Sequence, residues 1–334
     1  MKTAVAGHPG AEEQEEIKFL AAVAKKKPNV LVSEIKPTEI KMLPYGRTLV
    51  GVNKAASVGA VPISKGYGLQ LKFNDRTGAV LLLDTGAGGI IIGRKLAEKV
   101  GVTKIAETAY GGIGNEGPIQ SYVGWVDKIT IGNVEFHDYI VVVSSRTDIN
   151  DEAGLIGADV FEKFLVTLDF KEWKMVLNPL PKNPNVSGNE DDPQDRYIAP
   201  EMQSYAKIFR FGHDLVIPVV VSDAATGNFI LDTGASMNTI TPMLMSQIAK
   251  LSNEGEAVKG VSGTVKVLTG DKATLQFAKV RVRSSDIPAV PLNLDPTEFS
   301  GLIGIQTLVQ MKMTIDYRDG LVNLEVYDFR PARE

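Results

Sequence analysis

Short segments in which apolar and polar residues alternate cover most of the chain, and such alternation is typical of half-buried β-strands. In two places a pair of these segments is joined by turn-forming residues, which predicts hairpins over residues 67–83 and 215–231. Each hairpin is followed by a helical segment, at residues 94–100 and 242–250, and then by further strands. The pattern therefore favours a mainly β fold with short helices.

Three segments stand outside this pattern. Residues 11–27 predict a helix, because glutamates occupy the first turns, lysines occupy the last turn, and Pro28 follows. Residues 29–66 alternate only weakly, and we expect them to form an extension packed against the first strand-rich unit. Residues 178–200 contain five prolines and an acidic cluster without apolar periodicity, which predicts an exposed linker.

The strand-rich region is an internal duplication. Asp84-Thr85-Gly86-Ala87 follows one apolar run, and Asp232-Thr233-Gly234-Ala235 follows another. A Leu-Ile-Gly sequence ends 73 residues after the first aspartate, at Gly157, and 72 residues after the second, at Gly304. Because the offset between the copies stays at 147 or 148 residues, we predict two related lobes; this period is too long for a solenoid.

An Asp-Thr-Gly sequence at the end of a buried strand can carry acid–base chemistry. The strand places the carboxyl group in a cleft of low dielectric, the threonine hydroxyl can bond backbone of the opposite copy, and the glycine allows a tight turn. When two such loops meet, their carboxyl groups share one proton, because like charges at close range cannot both ionise easily. One group can then deprotonate a water while the other donates to a carbonyl oxygen, which predicts hydrolysis without a metal or a covalent intermediate.

These motifs make the chain resemble bilobal aspartic peptidases of the pepsin and retropepsin kind. The Asp-Thr-Gly-Ala spelling is closer to retropepsins, and residues 157–161 (Gly-Ala-Asp-Val-Phe) are similar to the Gly-Asp-Val-Phe of pepsin-like lobes, with Ala158 inserted. The resemblance covers residues 67–180 and 205–328. It implies two closed, barrel-like β lobes with short helices, related by a pseudo-twofold axis, with the active-site cleft between them.

The resemblance also implies roles for individual residues. Asp84 and Asp232 become the catalytic pair, and one proton shared by two aspartates is the established pattern of aspartic proteases. The residues that would support the active-site loops are Thr85, Gly86, Thr233 and Gly234. The residues that would pack behind these loops are Leu155, Ile156, Gly157, Leu302, Ile303 and Gly304.

We therefore expect five regions along the chain. They are an N-terminal extension with one helix (residues 1–66), a first lobe (67–180), an inter-lobe linker (181–204), a second lobe (205–328) and a C-terminal tail (329–334). Because both lobes lie in one chain, a monomer should suffice for activity. An alternative for the extension is that it covers the cleft as a propeptide.

A glycine-rich segment at residues 112–117 spells G-x-G-x-x-G, the pattern of dinucleotide-binding loops. That pattern requires a strand before it and a helix after it, whereas Pro118 and a strand-like segment follow here. The segment and its counterpart at residues 260–263 lie where an aspartic peptidase folds a hairpin over its cleft. We expect a substrate-binding flap that includes Tyr110, Gly112, Ile113 and Gly114.

Both copies depart from pepsin-like lobes directly after Asp-Thr-Gly. Pepsin-like lobes commonly have Ser or Thr there, whose hydroxyl helps to keep the carboxylate ionised in acid, whereas this chain has Ala87 and Ala235. Loss of a donor to the charged form raises a carboxyl pKa, so we expect a mildly acidic to neutral pH optimum. The next residues are Gly88-Gly89 in one copy and Ser236-Met237 in the other, which predicts an asymmetric cleft.

Composition narrows the remaining classes of function. A net charge of −4 argues against binding of nucleic acid or anionic membranes. The absence of cysteine excludes disulfides, thiolate nucleophiles and cysteine zinc sites, and we expect no metal and no cofactor. No apolar run is long enough to span a membrane. We expect no signal peptide in this sequence, because glutamates precede its short apolar segment. An exported (periplasmic or secreted) bacterial protein without its signal is compatible with these features.

Two hypotheses follow. The first is an aspartic endopeptidase that hydrolyses an extended polypeptide. The alternative is a non-catalytic module that keeps the same fold and binds peptides or proteins. A second duplicated pair, Asp169 and Asp316, lies inside late strands, and we expect these residues to be exposed or to cap turns.

Overall fold

Two β lobes and a third sheet that joins them account for most of the chain in the computed structural model. The described residues are 17, 21, 28–45, 66–110, 119–145, 153–184, 196–248, 257–260, 263–266, 268–270, 272–285, 287–292 and 299–328. The helix predicted over residues 11–27 lies outside them, except for Ile17 and Ala21, which are helical. The predicted tail, residues 329–334, also lies outside them.

The first lobe is one nine-stranded sheet. Its strands are β1 (Val30–Leu31), β3 (Leu43–Pro44), β4 (Tyr67–Phe73), β5 (Thr77–Leu83), β6 (Ile90–Gly93), β7 (Thr103–Tyr110), β8 (Ile119–Ile131), β9 (Val134–Ser144) and β10 (Gly154–Ile156). The central connection is made by β10, which pairs in parallel with β5 and antiparallel with β6. Helix α1 (Arg94–Val100) follows β6, and a 3₁₀ helix (Ala158–Phe161) follows β10.

The second lobe repeats this arrangement. Its nine-stranded sheet contains β14 (Phe209–Phe211), β15 (Asp214–Val221), β16 (Ala225–Asp232), β17 (Thr239–Ile240), β20 (Leu268–Gly270), β21 (Ala273–Phe277), β22 (Val280–Ser284), β23 (Ile287–Ala289) and β24 (Gly301–Gly304). Here β24 pairs in parallel with β16 and antiparallel with β17. Helices α2 (Pro242–Ile248) and α3 (Ile305–Leu308) follow β17 and β24, and β18 (Ala257–Gly260) pairs with β19 (Gly263–Lys266).

A six-stranded sheet joins the lobes. Its strands are β2 (Thr38–Lys41), β11 (Phe164–Asp169), β12 (Lys174–Pro179), β13 (Ala206–Lys207), β25 (Met311–Asp316) and β26 (Leu321–Val326). Within this sheet, the two halves of the chain meet at the antiparallel pairing of β11 with β25. These two strands come from corresponding places in the two copies. The N-terminal segment supplies β2 at one edge, so it takes part in the joining sheet as well as in the first lobe.

Alternation along the strands produces the core. In β4, Leu69, Leu71 and Phe73 are fully buried, whereas Gln70 and Lys72 between them are exposed. One continuous apolar cluster runs through both lobes and the joining sheet. Each fully buried side chain of this size stabilises the fold by roughly 1.5–3 kcal/mol. The predicted mainly β class with two related lobes is confirmed.

The prediction of an exposed linker is wrong for its described C-terminal part. Ala199 and Met202 are buried against Leu321, and a 3₁₀ helix (Pro200–Met202) forms there. The Tyr197 N–H donates to Asp319 Oδ1 at 2.8 Å. These few apolar residues cover the joining sheet, a role that the surrounding prolines and acidic residues conceal in the sequence.

Candidate active site

Each Asp-Thr-Gly sequence opens a loop where a buried strand ends. We call residues 84–89 the first loop and residues 232–237 the second loop. Behind them, the Leu-Ile-Gly segments form β10 and β24, in parallel register with the strands that carry the aspartates. The Asp84 N–H donates to the Ile156 carbonyl at 2.9 Å. The strands that precede the loops and those behind them thus fix where the two carboxyl groups emerge.

The glycines that end the Leu-Ile-Gly segments provide room for the loops. A Cβ on Gly157 would lie 2.3 Å from the Ala87 carbonyl oxygen, and a Cβ on Gly304 would lie 2.4 Å from the Met237 carbonyl oxygen. Both distances are far below van der Waals contact. A side chain at either position would therefore push the loop away from the strand behind it.

Thr85 and Thr233 lock the loops together by four reciprocal hydrogen bonds. The Thr85 N–H donates to Thr233 Oγ1 at 3.0 Å, and the Thr233 N–H donates to Thr85 Oγ1 at 3.0 Å. The hydroxyl of Thr85 donates to the Leu231 carbonyl at 2.6 Å, and that of Thr233 to the Leu83 carbonyl at 2.8 Å. Both threonines are buried, so each loop completes the hydrogen bonds of the other.

The carboxyl groups of Asp84 and Asp232 meet at this junction. Each also lies over the glycine of the opposite loop. A Cβ on Gly234 would come within 2.2 Å of Asp84 Oδ2, and a Cβ on Gly86 within 2.7 Å of Asp232 Cγ. Glycine at both positions is therefore what lets the carboxyl groups approach.

The two carboxyl groups have different surroundings. Asp84 Oδ1 accepts the Gly86 N–H at 3.0 Å, whereas Asp232 Oδ1 accepts the N–H groups of both Gly234 and Ala235, at 2.8 and 2.9 Å. Burial raises the pKa of Asp232 well above its ordinary value, and the charge of Asp84 raises it further, although the two N–H groups oppose this. Burial and the facing charge of Asp84 thus favour a protonated carboxyl group at Asp232 over its ordinary, ionised form.

Three further polar residues surround the first loop, and motif analysis missed their role. Both carboxylate oxygens of Asp159 accept the Gly89 N–H, at 3.0 and 3.1 Å. From the second lobe, His213 Nε2 lies 3.5 Å from Asp214 Oδ1. Burial raises the pKa of Asp214, the charge of His213 lowers it, and the charge of Asp84 raises it. The only sequence signal for any of these three is the similarity of residues 157–161 to pepsin-like lobes.

The second loop is supported by an amide instead. Asn238 Oδ1 accepts the Gly304 N–H at 3.0 Å, and Asn238 Nδ2 donates to Thr307 Oγ1 at 2.8 Å. The two sides of the site therefore differ in charge, as well as in the residues Gly88-Gly89 and Ser236-Met237.

The flap prediction falls largely outside the described residues. Gly112, Ile113 and Gly114 are among residues 111–118, whereas Tyr110 ends β7. Strands β7 and β8 pair antiparallel up to Tyr110 and Ile119, so residues 111–118 connect a hairpin. Whether this hairpin contacts substrate stays a prediction.

The second duplicated pair of aspartates caps turns, as expected, but it is not exposed. Asp169 Oδ1 accepts the Glu172 N–H at 3.2 Å, and Asp316 Oδ1 accepts the Asp319 N–H at 3.0 Å. Both carboxyl groups are buried in the joining sheet, because the strands that carry them pair at the centre of the molecule.

The described part of the chain contains neither a cluster of metal-binding side chains nor a membrane-spanning helix. No group of three or more His, Asp or Glu side chains there is arranged to hold a metal ion. Likewise, none of its helices has both the length and the apolar character of a membrane-crossing segment.

Two duplicated β lobes whose Asp-Thr-Gly loops interlock define the chain as a bilobal aspartic peptidase by fold. The comparison with family models agrees, since the model described as "Aspartyl protease" matches residues 69–160 and again residues 217–307. Together these matches cover more than half of the chain, which therefore belongs to the aspartyl protease family. No curated protein matches the chain.

Proposed function

We propose that the protein is an aspartic endopeptidase in which Asp84 and Asp232 are the catalytic residues. The observation that carries the proposal is the position of their carboxyl groups, each over the glycine of the opposite loop at the threonine-locked junction. A non-catalytic module would gain nothing from placing two carboxyl groups together, because the repulsion between them costs stability.

The chemistry follows from the proton that the pair shares. With its raised pKa, Asp232 holds the proton, and Asp84 acts as the base. Asp84 takes a proton from a water bound between the carboxyl groups as the water attacks the scissile carbonyl carbon, and Asp232 donates its proton to the carbonyl oxygen. Asp84 then gives its proton to the amide nitrogen of the tetrahedral intermediate, and Asp232 takes a proton from a hydroxyl of the intermediate as the C–N bond breaks. Both carboxyl groups thereby return to their starting state without a covalent enzyme intermediate.

The substrate class follows from the family, which implies a peptide. The substrate would lie extended between the lobes and add its backbone hydrogen bonds to the β7–β8 hairpin, as a strand adds to a sheet edge. Residues 111–118 would then close over it as the flap, with Tyr110 at its base. One chain carries both loops, so activity per molecule should not depend on protein concentration.

The test is cleavage of unfolded casein from about pH 3 to pH 8, with and without pepstatin. We expect Asp84→Asn and Asp232→Asn each to abolish cleavage, because either change removes one of the two proton-transfer groups. Asp223→Asn is the matched control, since Asp223 is exposed and pairs with Arg281 far from the site. Peptide binding without turnover by the wild-type protein would contradict the proposal and favour a binding module.

A further inference from the structure

The surroundings of the first loop contain a feature that the two-aspartate mechanism does not use. His213 lies in the turn between β14 and β15, so it belongs to the second lobe, yet its imidazole rests against the loop of the first. A Cβ on Gly88 would lie 2.7 Å from His213 Nδ1 and 2.9 Å from its Cγ. The ring therefore occupies the space above Gly88 and limits where the first loop can move.

The electrostatic setting of His213 is equally specific. His213 pairs with Asp214, the next residue along the chain, and interacts with Asp159 on the 3₁₀ helix. Asp84 in the first loop interacts in turn with Asp214. The other charged groups nearby are Arg210 and Glu162, which pair with each other at 2.6 Å. Glu162 therefore balances the charge of Arg210. Among these groups, a protonated His213 is the positive charge that remains for the other carboxylates.

The effect of this charge appears in the neighbouring acids. Burial raises the pKa of both Asp159 and Asp214, and the positive charge of His213 lowers both. Asp159 holds the first loop directly, by accepting the Gly89 N–H with both oxygens. A carboxylate is the better acceptor when ionised, so a protonated His213 favours the form of Asp159 that holds the loop.

We infer that His213 is a positioning residue for Asp84: its ring restrains the first loop at Gly88, and its imidazolium charge stabilises the carboxylates beside that loop. This inference rests on the proposed peptidase function. An imidazole carries a positive charge only when it is protonated, so the effect of the charge should be larger in acid than in base.

The first test is the pH dependence of kcat/KM for His213→Gln. The substitution removes the imidazolium charge, so we expect kcat/KM to fall about five-fold in acid. We also expect the acid limb of the profile to move to higher pH. In base the variant should approach the wild type, because a deprotonated imidazole supplies no charge. His137→Gln is the matched control: His137 is exposed to a similar degree, 43% against 40%, and it also pairs with an acid, Glu135. We expect this control to match the wild type at every pH.

The second test measures thermal unfolding and does not depend on cleavage. Gly88→Ala should lower Tm in the wild-type background, because its Cβ would displace the imidazole. It should have little effect in a His213→Ala background, where the ring is absent, so the effects of the two substitutions should not add. Additive effects would overturn the contact on which the inference rests.

The two proposals fail in different ways. A wild-type protein that cleaves nothing would overturn the proposed function and this role for His213 with it. A wild-type protein that cleaves, with a His213→Gln variant equal to it or reduced by the same factor at every pH, would overturn the role of His213 alone.

Discussion

Thr167 and Thr314, which are 147 positions apart, face each other across the pairing of β11 and β25, with their hydroxyl oxygens 3.0 Å apart. They are the same position in the two copies. The pseudo-twofold axis therefore passes between them, through the sheet that joins the lobes. The same symmetry brings Thr85 to Thr233 and Asp84 to Asp232 at the cleft, so the joining sheet is the base on which the site is assembled.

The hydroxyl groups that lock the loops should be needed for both stability and cleavage. Thr85→Val keeps the shape of the side chain but leaves the buried Leu231 carbonyl and the Thr233 N–H without their partner. We expect the free energy of unfolding to fall by about 1–3 kcal/mol, and cleavage to fall with it. Thr85→Ser, which keeps the hydroxyl, is the control in urea unfolding. Equal losses in the two variants would show that packing, not hydrogen bonding, is what matters.

Space at Gly234 should be essential for catalysis. The Cβ of Gly234→Ala would lie 2.2 Å from Asp84 Oδ2, so the carboxyl group must move. A displacement of this size should reduce kcat at least about 100-fold. Gly101→Ala is the control, because a Cβ there meets nothing within 4 Å; its left-handed backbone costs stability only. Activity retained by Gly234→Ala would contradict the arrangement of the carboxyl groups.

Removal of the Asp232 charge should stabilise the protein at neutral pH. Folding raises the pKa of Asp232. Between the pKa of the unfolded state and that of the folded state, the folded protein therefore binds more protons than the unfolded chain. The free energy of unfolding consequently falls as the pH rises through that range. Asp232→Asn removes this loss of stability, because asparagine does not ionise. The Oδ1 of the asparagine can still accept the Gly234 and Ala235 N–H groups. We expect Tm at pH 7 to rise by roughly 2 °C and the gain to vanish in strong acid. A gain of the same size at every pH would contradict a charge effect.

The alanine after the second Asp-Thr-Gly should affect the alkaline limb of the activity profile, because Asp232 is the proposed proton donor. Ala235 already donates its N–H to Asp232, and Ala235→Ser adds a hydroxyl beside that carboxylate. A further donor to the charged form lowers a carboxyl pKa, so we expect the alkaline limb of kcat/KM to move down by about 0.5 pH unit. Ala224→Ser, in the exposed turn before β16, is the control. An unchanged limb would show that the hydroxyl does not reach the carboxylate.

Several features of the fold were predictable because they arise locally. The hairpins before Asp84 and Asp232 follow from alternation and turn residues, and the Leu-Ile-Gly segments were identified by their equal spacing from the aspartates. Other features were not. The burial of Ala199 and Met202 and the pairing of β2 in the joining sheet depend on surfaces that distant segments supply, and no local pattern encodes them.

By itself, the sequence determined the β class, the duplication and the two carboxyl groups, because strand periodicity and motif spacing are properties of neighbouring residues. Only the tertiary structure decided that each carboxyl group lies over the glycine of the opposite loop, and that His213 of one lobe stands beside the first loop of the other. The reason is physical: pKa shifts and packing depend on distances through space, and folding brings together groups that lie far apart along the chain.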